Sequence, residues 1–138
     1  MANGTIAFDT LSTSGQITGT AKSVDTDYVV NGSVKAWLHY DHDSGVDRNS
    51  FNITSVLDDE TGNYKPTFTN NMDSIYYSLV ACMSKAYGVG VPYGASVFSD
   101  SGSESAPTTS SYFVRSVHSG AGTYDAKYNL NQVCGDLA

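Results

Sequence analysis

Three side chains of metal-ligating type, His39, Asp41 and Asp43, occupy alternate positions of one segment. In an extended chain such positions share a face, so the three would converge on a divalent cation, with Asp47 able to return to them. The run Asp41-x-Asp43-x-Gly45-x-Asp47 half resembles a calcium loop. It lacks a third oxygen ligand ahead of the glycine and the closing bidentate Glu, and a solvated polar strand end is the competing reading. A second acidic group, Asp58, Asp59 and Glu60, runs into Thr61-Gly62-Asn63, where Asp and Gly serve a tight turn for backbone reasons alone.

Nucleophilic chemistry needs a base within hydrogen-bond reach of the nucleophile and a third group to orient it. The histidines are His39, His42 and His118, no G-x-S-x-G elbow is present, and Cys82 lies in an apolar run. The Gly88-Val89-Gly90-Val91-Pro92 stretch is followed by no helix that could present its N-terminus to a phosphate. A glycosidase pair of carboxylates would come from distant strands, and nothing positive points to one. The expectation is a non-enzymatic protein without cofactors.

Tyr87, Tyr93, Tyr112, Tyr124 and Tyr128 cluster among Gly and Ser in the C-terminal half. Amphipathic aromatics on such loops suit recognition of protein or sugar, since they offer area at little rotamer entropy. Tyr87, Tyr93 and Tyr124 are the candidate receptor-binding residues; packing with the hydroxyl at the surface is the alternative. Trp37, mid-strand between bulky neighbours, reads as core or subunit interface rather than sugar platform. Arg48 and Arg115 are the only arginines, each lying in solvent or anchoring an interface ion pair.

The elements that must position these residues are strands. Among 138 residues only 15% are charged, 40% are hydrophobic and 12% aromatic, which describes one folded domain rather than a disordered chain. A net charge of -7, from 14 acidic and 7 basic residues, disfavours a nucleic-acid partner. Glu is confined to Glu60 and Glu104 and Leu is scarce, while Ser, Thr, Gly, Asn and Tyr dominate, the inverse of helical composition. No apolar run is long enough to span a membrane, and the opening Met1-Ala2-Asn3-Gly4-Thr5 lacks the features of a secretory signal, so no membrane insertion or export by that route is expected. Cys82 and Cys134 are then expected to be reduced.

Val34, Ala36, Leu38 and Tyr40 alternate with Lys35, Trp37 and His39; both sets carry bulk, so both faces should be covered. Phe51 to Val56, a turn at 58–63 and an extended Tyr64 to Thr69 read as a hairpin. Ile75 to Met83 is a continuous apolar and aromatic run that should be buried on both faces, and Tyr128, Leu130, Gln132 and Cys134 share one side of a closing strand. About eight short strands and no convincing helix predict an all-β fold, an antiparallel β-sandwich of jelly-roll-like type. Residues 1–33 would form an N-terminal arm with short strands, and residues 34–138 the sandwich, with variable loops at 84–111 and 118–127.

The middle of the chain, Lys35-Ala36-Trp37-Leu38-His39-Tyr40-Asp41, then Arg48-Asn49-Ser50-Phe51-Asn52-Ile53-Thr54-Ser55-Val56-Leu57-Asp58, then Thr61-Gly62-Asn63-Tyr64 and Phe68-Thr69-Asn70, resembles a known domain. It is found in tail fibres and other virion structural proteins of tailed bacteriophages of marine bacteria and cyanobacteria, with the approximate pattern K-A-W-V-x-F-x-G, R-x-S-F-N-V-S-S-I-T-D and G-T-G-D-Y-x-V-N-F-T. Gly4 to Leu11 and Val133 to Ala138 are similar to the edges of such domains. The segment after Tyr40 is more acidic than the pattern, and residues 84–127 align with nothing in it.

The resemblance implies a place on a virus particle more than a chemistry. It leads to the expectation of a virion structural protein in a tail fibre or similar appendage, a homotrimer touching other virion proteins and, through its loops, a host-surface glycan. Docking would use the short N-terminal arm or the domain surface, with Lys35, Trp37, Tyr76 and Tyr77 as the expected interface residues. A capsid decoration protein and a stand-alone carbohydrate-binding module are the alternatives.

Overall fold

A computed structural model describes residues 16–18, 23–25, 30–84, 93–97, 106–118 and 122–138, with backbone alone for 16–18, 23–25, 93–97 and His118. Eleven strands follow in chain order: β1 (Gln16–Thr18), β2 (Ser23–Asp25), β3 (Val34–Asp41), β4 (Val46–Phe51), β5 (Ile53–Glu60), β6 (Asn63–Phe68), β7 (Ser78–Ser84), β8 (Tyr93–Val97), β9 (Val114–His118), β10 (Gly122–Thr123) and β11 (Tyr128–Cys134). Among the described residues β1 and β2 pair with each other.

The other strands form two antiparallel sheets. One has the order β4-β3-β11-β7; the other runs β10-β9-β6-β5, with β8 on the opposite edge of β9. This is the predicted all-β sandwich. The hairpins β3–β4, β5–β6 and β8–β9 stay within a sheet, while the remaining long connections cross between sheets.

Two local devices set this path. Between β4 and β5 the chain leaves one sheet for the other at Asn52, whose φ of 57° lies in the left-handed region that Asn tolerates. Its carboxamide is tied to the Asn70 backbone, Oδ1 accepting from Asn70 N at 2.7 Å and Nδ2 donating to Asn70 O at 3.1 Å. The stretch read as one alternating strand from Phe51 is therefore a corner. Between β5 and β6, Gly62 has a φ of 78°, and an added Cβ would lie 2.6 Å from Tyr124 N, so only glycine fits this turn.

Alternation does the rest. Ala36, Leu38 and Tyr40 of β3, with Val133 of the neighbouring β11, face Tyr64 and Phe68 of β6 and Val114 of β9 in one buried cluster with Met72, Tyr77 and Tyr112. Polar residues on the inner faces are bonded across the sandwich. Asn131 Nδ2 donates to Tyr64 Oη at 3.0 Å, and Ser116 Oγ donates to Asn129 Oδ1 at 3.2 Å. Such ties fix how the sheets register on each other, because slippage would orphan a buried polar group.

Several expectations are corrected. The Ile75 to Met83 run is not buried on both faces: Tyr76 is 89% exposed and Val80 64%, while Leu79, Ala81 and Met83 alternate inward. The reason is that β7 ends its sheet, and nothing among the described residues covers the outer side. Within 84–111, expected as a variable loop, β8 pairs with β9, and residues 109–110 are stitched to the core by Phe68 N to Ser110 O and Met72 N to Thr109 O, both 2.8 Å. Residues 85–92 and 98–105 lie outside the described residues. Within 118–127, residues 119–121 lie outside the described residues; β10 pairs with β9 and Asp125 Oδ1 accepts from Gly62 N at 2.7 Å, so Gly122, Thr123 and Asp125 are held.

Candidate interaction surface

The inner face of the β4-β3-β11-β7 sheet is core, and period-two alternation sends every second residue to the opposite side. The strand registers then assemble an outer face row by row. Phe51, Trp37, Gln132 and Val80 lie side by side across the four strands, and Asn49, His39, Leu130 and Cys82 form the next row. Tyr128 and Ser84 follow at one end, Cys134 and Ser78 at the other. Val80, Phe51 and Leu130 are among the most exposed large apolar side chains described, at 64, 53 and 47%. A groove of about 290 Å³ runs through the middle, lined by Trp37, His39, Asn49, Leu130 and Gln132. His39 Nε2 is enclosed there and has no hydrogen-bond partner among the described residues.

One end of the face carries charge. The pairing of β3 with β4 slips by a residue, His39 opposite Asn49 but Tyr40 opposite Asp47, and the extra residue is Arg48. A bulge re-aims its side chain. Arg48 Nη2 bonds the buried Asp41 Oδ2, and its guanidinium lies 6.0 Å from the Tyr128 ring. Burial pushes the Asp41 carboxyl up, but hydrogen bonds from Arg48 and Ser44 outweigh it and hold the group below its ordinary value. Ser44 N donates to Asp41 Oδ1 at 3.2 Å, closing the turn that leads into β4.

On the inner side of the same end, His42 is buried against Tyr40 and Tyr64, its ring 5.5 and 5.3 Å from theirs. His42 Nε2 lies 3.0 Å from Asp58 Oδ1 and 3.5 Å from Asp125 Oδ1. It thus links β3, in one sheet, to β5 in the other and to the connection before β11. Burial raises the Tyr40 phenol above its usual value, helped by the negative charges of Asp58, Asp125, Asp41 and Asp47.

The expected residues divide accordingly. His39 and Asp41 point to the outer side of β3, but Asp41 is taken by Arg48 and Asp43 is exposed in the turn, so the three do not converge. No group of three or more His, Cys, Asp or Glu among the described residues could hold a metal ion. Of the expected interface residues, Lys35 and Trp37 lie on the outer side of β3 and Tyr76 is exposed ahead of β7. Tyr77 is corrected: it is a core residue whose hydroxyl donates to Ser111 O at 3.0 Å. Tyr124 is only half-buried but its hydroxyl is enclosed, which removes the polar tip from solvent; Tyr87 and the Tyr93 side chain lie outside the described residues.

Sequence reasoning missed Phe51, Leu130 and Val80 as parts of one surface: Leu130 sits in a visible alternation, but Val80 lies in a run that reads as buried on both faces, Phe51 reads into the following strand, and alternation does not say which strands are neighbours. Searches against protein-family models, curated proteins and solved structures find no match to this chain.

Proposed function

We propose that this chain is a non-enzymatic virion structural protein of a tailed bacteriophage, displayed on the particle as part of a tail fibre or similar appendage and assembled as a homotrimer. The observation that carries the assembly half of this reading is the open outer face of the β4-β3-β11-β7 sheet, with Val80 64% and Phe51 53% exposed beside Trp37. A sheet face that carries Phe51, Trp37, Val80 and Leu130 among uncharged Asn49, His39 and Gln132 is a surface suited to being covered, since a monomer would leave those apolar side chains in water. Ser116, Asn129, Asn131 and Tyr64 use their buried polar groups to tie the two sheets together, which is work of a scaffold. The virion half rests on the resemblance of residues 35–70 to tail-fibre domains.

Immunogold labelling and mass spectrometry of purified particles of the phage that encodes the chain test the reading. Label on a tail appendage is the expected result. Absence of the chain from particles would overturn the virion reading, and label confined to the head would replace the appendage with capsid decoration.

A further inference from the structure

We propose that a second copy of this chain covers the outer face of the β4-β3-β11-β7 sheet, with Trp37, Phe51, Val80 and Leu130 at the centre of the contact. The proposal rests on the same exposed face as the assembly half of the reading above, but a face that meets its own copy closes as a twofold pair, so it takes the place of the homotrimer there and does not depend on location on a particle. Its first support is charge. The chain carries a net -7, so two copies repel at most approaches. The two central rows of this face, Phe51-Trp37-Gln132-Val80 and Asn49-His39-Leu130-Cys82, contain no acidic or permanently charged side chain. The one carboxylate at its end, Asp41, is neutralised by Arg48. This is where like-charged copies can meet, whereas a strongly basic partner would find its complement in the acidic end of the molecule instead.

The second support is area. Four strands at a spacing of about 4.8 Å and seven residues at about 3.3 Å each give a patch of roughly 19 by 23 Å. Two such patches give roughly 870 Å² of flat area, just under the ~1,000 Å² of an ordinary specific contact, so the contact belongs to the weak, concentration-dependent class. The third is self-complementarity. Asn49 and Gln132, lining the groove, each carry a donor and an acceptor, so a copy laid on this face can pair the amides of one chain with those of the other while filling the 290 Å³ with protein.

Cys82 reports on the contact without any substitution, because it is exposed on the face beside Leu130. Thiol labelling followed by peptide mass spectrometry, on the full chain between about 1 μM and about 1 mM, is expected to slow at Cys82 at least about fivefold as concentration rises, in step with the mass from light scattering. V80E and L130E, each changing an exposed position, are expected to give a monomer with wild-type circular dichroism. L57E, exposed on β5 in the other sheet, is expected to keep the wild-type mass. A wild-type chain that stays monomeric up to 1 mM overturns the proposal, as do V80E and L130E variants that still associate. Cys82 protected equally at every concentration would mean that the chain covers its own face, and Cys82 unprotected in a multimer would mean that copies meet elsewhere; either result overturns it. Particle labelling is read independently, so failure here leaves the virion reading to its own test.

Discussion

Buried tyrosines differ by what their hydroxyls find. Tyr64 Oη is bonded to Asn131 and Tyr77 Oη donates to Ser111 O, whereas Tyr112 Oη is buried without a hydrogen-bond partner among the described residues. An unpaired buried hydroxyl costs about 1–3 kcal/mol, and a satisfied one contributes about 1. Y112F should therefore leave stability unchanged or raise it by about 1 kcal/mol, while Y64F should lower it by a similar amount and leave Asn131 short of a partner; urea midpoints at constant m decide between these signs. Ionisation follows the same burial. Desolvation pushes the Tyr77 phenol up to about 12, and burial likewise raises those of Tyr64 and Tyr112 well above the ordinary value. Raised folded-state values favour the neutral form, so the stability they contribute is complete below pH ~10, where unfolded tyrosine begins to ionise, and is lost as pH rises beyond it. Phenolate absorbance should show these three tyrosines ionising only at high pH, together with unfolding. Nothing in the sequence separates Tyr64, Tyr77 and Tyr112 from exposed Tyr76, because a Tyr-rich strand chain offers the same residue to core and surface. What decides is cross-sheet geometry, and that depends on strand order.

At the scale of the element, alternation was legible and strand ends were not. The burial of β3 and β11 follows their period-two pattern residue by residue, apart from the ends of β3. Phe51-Asn52-Ile53 defeats the pattern, because a one-residue left-handed corner leaves apolar and polar residues alternating while the strand changes sheets. The metal expectation failed for a related reason: Asp43 lies two residues beyond the end of β3, so the shared face it would need is not there. If Asn52 makes the corner, its backbone and side-chain roles are separable. N52A loses both the tolerance of positive φ and the bonds to Asn70, and is expected to destabilise the fold by about 2–3 kcal/mol; N52G restores the backbone term and recovers about 1 kcal/mol. Equal losses in the two variants, measured by denaturant unfolding, would assign the whole effect to the carboxamide.

Across the whole molecule the sequence specified a two-sheet sandwich, yet not which polar groups would hold the end where β3, β5 and the connection before β11 converge. His42, adjacent to a strand end and without a distinctive motif, is the inter-sheet link there, held by Asp58 and Asp125, while Asp41 faces the other side and holds Arg48. These carboxylates are close enough that Asp58, Asp125, Asp41 and Asp47 all act on the Tyr40 phenol, so the end of the molecule carries concentrated negative charge with Arg48 and His42 set into it. Asp41 is the member whose protonation has a definite sign. Its folded-state value is lowered, so its stabilising contribution is present above the unfolded value of about 3.9 and disappears as pH falls through the lower folded one. D41N should therefore be less stable than wild type at pH 7, and the difference should shrink steadily as pH falls below about 4, because the wild-type carboxyl then becomes neutral as well. The Arg48 partner is 41% exposed, so salt should weaken but not abolish the neutral-pH difference, with the buried carboxylate and its Ser44 bond retaining the remainder. Thermal unfolding of the two proteins from pH 7 to pH 2.5 gives the answer directly: curves that stay parallel throughout would mean that Asp41 titrates alike in the folded and unfolded chains, and the carboxylate would then contribute shape to the turn but no charge-dependent stability.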